Sequence, residues 1–199
     1  ITSSGAYSWF PKLQYRNGKH HLFYLDDSTG YFSIYYTYYD SAWAVPVDIT
    51  DSTEHVVSHS FYVMADNTIS LAYTIIEDGY YALYNKRYNG AWTDPVSVYK
   101  PTGDVSSPFV ISDDSREFII FTATVNGISQ LYITSYSGSS WSVPEQISDN
   151  NSNIYSPQAV IKGDTVHIVC ISDYFVNGAV QHYKYSVSNK DVSVTTAAY

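Results

Sequence analysis

Six carboxylates stand in short polar stretches of this chain. Asp26 and Asp27 lie in "LDDSTGYF", Glu77 and Asp78 in "IIEDGYY", Asp104 in "PTGDVSSP" and Asp173 in "SDYFVNGA". Two carboxyl groups about 5–10 Å apart are what glycoside hydrolysis requires. No local motif singles out a pair, so solvated loop acids are the simpler reading. Three of the four stretches also place a ring beside the acid: Tyr31, Tyr80, and Tyr174 with Phe175. Ring faces stack on sugar C–H groups and carboxylates accept from hydroxyls, which is the chemistry of neutral-sugar recognition. The same pairing suits a protein surface, where Tyr and Trp anchor interfaces.

Other chemistries find less support. The three arginines, Arg16, Arg87 and Arg116, are far apart in sequence. The six histidines show no metal-ligand spacing, and neither a nucleophile elbow nor a phosphate-binding glycine loop occurs. Cys170, the one cysteine, sits in the apolar run "VHIVCIS" and reads as a small buried hydrophobe. With ten Lys and Arg against nineteen Asp and Glu, the net charge is −9. A nucleic-acid partner is not expected, because a phosphate backbone needs a basic face. No apolar stretch approaches the ~18 residues of a membrane helix, so no membrane insertion is expected. The start at Ile1, without a leader-like stretch, fits a mature product or an excised segment. Abundant Tyr and scarce Lys fit an extracellular or particle-surface protein.

The elements that must position these residues are strands. Tyr occurs 22 times, and Val, Ile, Thr and Phe dominate over helix formers. A repeat sets their order. Trp43, Trp92 and Trp141 are 49 residues apart, as are Pro46, Pro95 and Pro144. Ser107-Pro108 recurs as Ser156-Pro157, and His20 maps onto His167 across three periods. Units of about 3–50, 51–99, 100–148 and 149–199 each hold four short alternating strands, joined by turns such as "RNGK" and "DDSR". Four antiparallel strands per unit of this length make the blade of a β-propeller. The fold class is therefore all-β, one propeller domain over residues 1–199. The Trp is expected between blades, and the Pro on the outer edge strand, where a missing N–H does least harm. In the fourth unit Lys190 and Ser193 replace Trp and Pro.

"WSVPEQIS" followed by "YSPQAVIKGDTVHIVCIS" resembles the sialidase-like, BNR-type repeats. The Ser-x-Asp-x-Gly-x-x-Trp box of that family is lacking: the turns read "YDSAW", "YNGAW" and "YSGSSW". The resemblance implies a ligand face built from two sets of loops, those joining strands two and three and those entering strand one. It also implies an arginine cluster in true sialidases, and Arg16 and Arg116 fall at the opposite face. The loops entering strand one add Tyr7, Trp9, His55, His59, Asp104 and Tyr155 to the candidate binding residues.

The chain is accordingly expected to be a non-catalytic, lectin-like module that recognises a glycan or a protein surface. The alternatives are an adhesion propeller of a larger surface or viral particle protein, and a glycoside hydrolase. No cofactor is expected beyond an axial Ca²⁺ or Na⁺ ion held by inner-strand carbonyls. Four units can close alone, join a larger ring with neighbouring domains, or pair as two copies in a homo-oligomer.

Overall fold

The computed structural model describes residues 7–50, 53–149, 151–173 and 178–197. Each repeat unit folds as one antiparallel sheet. The first contains β1 (Ser8–Arg16), β2 (Lys19–Asp26), β3 (Ser33–Asp40), β4 (Ala42–Trp43) and β5 (Val47–Asp48). The second contains β6 (Val56–Val63), β7 (Ile69–Glu77), β8 (Tyr80–Tyr88) and β9 (Val96–Tyr99). Next come β10 (Val105–Ser112), β11 (Glu117–Val125), β12 (Ile128–Tyr136) and β13 (Glu145–Gln146). The last sheet is β14 (Ile154–Lys162), β15 (Thr165–Ser172), β16 (Ala179–Ser186) and β17 (Val192–Thr196). The fold is a four-bladed all-β propeller unit, and no helix occurs among the described residues.

Turn chemistry explains the tight hairpins. Asn17 and Gly18 both have positive φ, as do Asp78 with Gly79 and Asn126 with Gly127. These are the primed turns whose twist matches paired strands. The proline explains the outer strands. Pro46 lies between β4 and β5, and Pro95 and Pro144 precede β9 and β13. Before those prolines, Trp92 and Trp141 make only isolated bridges, to Tyr88 and Tyr136. Where Ser193 replaces the proline, β17 runs unbroken.

Three hydrophobic clusters hold the sheets together. Phe23, Leu25 and Ile34 of the first sheet pack with Phe61, Leu71 and Tyr73 of the second. Ala72 and Leu83 meet Ile119, Phe121 and Tyr132. Ile120, Leu131 and Ile133 meet Ile168, Cys170 and Tyr183. Among the described residues, no hydrophobic cluster joins the fourth sheet to the first. The possible pairing of Ile1 and Thr2 beside β17 lies outside the described residues.

The tryptophans follow this order. Trp92 packs against Phe23 and Tyr36 of the preceding sheet, and Trp141 against the second sheet's cluster. Trp43, on the first sheet, has no preceding sheet and is 41% exposed. One repeat correspondence changes. His20 lies on the face turned away from Phe23, whereas His167 lies on the face turned away from Ile168. In strand register His21, not His20, matches His167. The cause is a longer outer turn in the third sheet: four residues separate Tyr136 from Trp141, and three separate Tyr88 from Trp92.

Candidate functional site

All four inner strands carry a register shift at the same place. It falls between Trp9 and Lys12, Val56 and Ser58, Ser106 and Phe109, and Tyr155 and Gln158. In three strands the bulge is a left-handed residue followed by proline: Phe10-Pro11, Ser107-Pro108 and Ser156-Pro157, with φ of 49°, 51° and 52°. A non-glycine residue in that region is strained, and the residue before a proline is further restricted. Such strain, repeated at one place, is a pointer to function.

The four bulges converge on the axis and enclose a cavity of about 220 Å³. Phe10, Lys12, Ser58, His59, Ser107, Ser156 and Gln158 line it. His59 is 2% exposed, and neither ring nitrogen has a hydrogen-bond partner. Burial drives its pKa down to about 3, and the Lys12 charge adds to this. The Phe23 backbone pulls the other way without forming a bond of normal geometry. The ring is therefore neutral at pH 7, with one donor and one acceptor to offer. Burial also lowers the pKa of Lys12, and among the described residues Lys12 has no acidic partner. No carboxylate side chain lines this cavity. Among the described residues no cluster of three His, Cys, Asp or Glu could hold a metal.

A second cleft of about 230 Å³ shares Phe10 and Val57 with the axial cavity. Trp9, Leu25, Phe32, His55 and Val56 complete its mostly apolar lining. Its rings meet at angles: Trp9 and Phe32 centroids lie 6.2 Å apart, Phe32 and His55 5.5 Å, and Tyr31 and His55 6.3 Å. An apolar aromatic cleft thus opens beside a polar axial floor.

No known family profile matches the chain, and no curated protein matches it. Solved structures do. A protein of unknown function from Dyadobacter fermentans aligns with a TM-score of 0.75 at 11% identity, over 99% of this chain and 71% of that one. A neuraminidase-like protein of subtype N10 from a bat influenza A virus (A/little yellow-shouldered bat/Guatemala/060/2010) gives 0.71 at 13%, over 98% and 59%. A thermostable family-43 glycoside hydrolase gives 0.66 at 14%, over 96% and 76%. The fold is that of the sialidase-like β-propellers.

Within this propeller, the candidate rim acids serve as clamps between loops. Asp27 accepts from the Tyr7 N–H at 2.8 Å, and Asp173 accepts from the Asn153 N–H at 3.0 Å in the register-equivalent place. Backbone bonds repeat the clamp in every blade, from Asp27 to Tyr7, Ile76 to His55, Thr124 to Asp104, and Asp173 to Asn153. Asp104 accepts from the Tyr81 N–H, and Asp26, 4% exposed, accepts from Ser8 and Ser28. Those bonds outweigh desolvation and hold the Asp26 carboxyl below its usual range. Glu77 and Asp78 both accept from Lys100, and Glu77 also accepts from Tyr84.

The structure gathers Trp9, Tyr31, His55 and His59 near the first two inner strands. It leaves Tyr80 exposed on the second blade, Tyr155 on the fourth and Tyr7 exposed at the Asp27 clamp. Tyr174 and Phe175 lie outside the described residues. Trp9, His59 and Tyr155 are strand residues rather than loop residues, because the inner strands begin before the bulge. Sequence reasoning missed Phe10, Lys12, Phe32 and Gln158. "WFPK" parallels "SSPF" and "YSPQ", and that X-Pro parallel was the available signal.

Every arginine is held by carboxylates. Arg16 pairs with Asp114, Arg87 with Glu117, and Arg116 with Asp113 and Asp164. A larger groove of about 480 Å³ runs beside Arg87, Arg116 and Glu117, near the β10–β11 turn. Each of its charged groups has an ion-pair partner, Arg87 with Glu117 inside the groove and Asp114 and Arg116 with Arg16, Asp113 and Asp164 at its border.

Proposed function

We propose that the chain is a non-catalytic binding module that takes a glycan in the axial cleft. The observation that carries this reading is the neighbourhood of two kinds of surface. The Trp9, Phe10, Phe32 and His55 cleft offers rings for a sugar's C–H face, and the adjoining floor offers the unpartnered His59 and Lys12 to its oxygens. The lack of catalysis is supported by the rim acids, each of which already holds a loop. Glycoside hydrolases and a neuraminidase-like protein stand among the structural neighbours. At this identity they speak for the fold alone, so the choice rests on the cleft.

A glycan array of neutral and acidic sugars, probed with the wild type and with Trp9→Ala, tests the proposal. Binding to a defined glycan class that Trp9→Ala abolishes is the expected outcome. Absence of signal across the array, or signal unchanged in the variant, would overturn it.

A further inference from the structure

Among the described residues, the two end blades leave complementary faces uncovered. On the first blade, Leu13, Tyr15, His20, Leu22, Tyr39 and Trp43 share the face turned away from the second blade. Leu13 is 62% exposed and Tyr15 64%. Rings cross this face in a ladder, with centroids 4.9 Å apart for Tyr15 and His20, 6.2 Å for His20 and Tyr39, and 5.5 Å for Tyr39 and Trp43. On the fourth blade, the face turned away from the third carries Val160, Val169, His167, His182 and Lys184. Val160 is 64% exposed and Val169 44%.

Register shows what these faces match. Counted from the outer turn, where Tyr39 pairs Trp43 and Tyr88 pairs Trp92, Leu13, His20 and Leu22 stand where the second blade has Phe61, Ile69 and Leu71, which are buried against the first blade. Lys184 of the fourth blade stands where the second has Arg87, and Tyr39 of the first stands where the third has Tyr136. Inside the chain those two positions touch: the Arg87 guanidinium lies 4.2 Å from the centroid of the Tyr136 ring. A second internal junction pairs the Gln14 side chain with the Val63 backbone, and the matching end positions are Val160 and Tyr15.

We infer that the fourth blade of one copy docks on the first blade of a second copy, in the way consecutive blades dock within the chain. The charge pattern supports this occupant. Lys184 and Lys162 give one end a cationic face beside the hydrogen-bonded His167 and His182, while Tyr15, Tyr39 and Trp43 give the other end exposed π surface. A single chain carries one half of the junction at each end, so identical copies are mutually complementary. The contact is heterologous.

Light scattering on the eluting protein at about 100 μM tests this, since association follows mass action. The mass expected is a whole multiple of the 22.4 kDa chain. Trp43→Glu blocks one face and Val160→Glu the other, so each variant alone is expected to run as a monomer. An equimolar mixture of the two retains one intact junction per pair and is expected to recover a two-chain mass. Wild type running as a monomer would overturn the inference, and would leave these faces to blades of another polypeptide segment. So would oligomers that both variants leave intact. Circular dichroism of the variants separates lost docking from lost folding.

Discussion

At the scale of single residues, His59 is the group whose burial has the clearest consequence. Its folded pKa of about 3 lies below the ordinary value of 6.5. The unfolded chain therefore binds a proton that the native ring does not. The stabilisation is fully present above about pH 6.5 and is lost as pH falls toward 3, a loss of about 3–5 kcal/mol. Denaturant midpoints measured between these limits should fall with acid in the wild type, and the slope should flatten in His59→Gln. Asp27 makes a contrasting case. Asp27→Ala removes one clamp and should cost about 1 kcal/mol of stability, while glycan binding at the axial cleft persists. Loss of binding with stability intact would restore that acid to the site.

Among the elements, the outer strand shows how far a repeat can be read. The period in Trp and Pro placed the blades, and alternation placed inner and middle strands close to where they lie. The outer strands proved shorter than "WSVPEQIS" suggested, because the proline splits the ladder. The bulges showed in the sequence only as a repeated X-Pro pair. They depend on a left-handed residue before proline, and in the first blade that residue is Phe10, which no propensity favours there. The tryptophan copies also differ. Trp141 is part-buried against the preceding blade, so Trp141→Ala should cost about 2–3 kcal/mol, below the 3–5 of a fully buried ring. Trp43→Ala should cost under about 1 kcal/mol in the monomer. Chemical denaturation of the two variants at low protein concentration compares them directly.

At the scale of the whole molecule, four blades share one axis and three cores. The repeat showed that blades stack in chain order. It did not show that, among the described residues, no hydrophobic cluster joins the fourth blade to the first, because closure depends on the angle between blades, which no residue pattern encodes. The placement of the candidate residues was legible in part: Trp9, Tyr31, His55 and His59 lie near the first two inner strands, whereas the partners of the rim acids were not foreseen, because turn carboxylates and ligand carboxylates look alike in sequence. What unites the molecule is a division of labour. Regular positions, such as Trp92, Trp141 and the Asp27 and Asp173 clamps, hold the blades. Irregular ones at the axis, Lys12 and His59, line the axial cavity, where the proposed glycan would meet them. The account therefore rests on where a sugar binds. Calorimetric titration of the array's leading glycan into wild type, Trp9→Ala and Tyr80→Ala tests this most directly. An affinity loss of about tenfold or more in Trp9→Ala, with Tyr80→Ala unchanged, is the result expected of an axial site. Loss in Tyr80→Ala with Trp9→Ala unaffected would contradict it and move recognition to the rim.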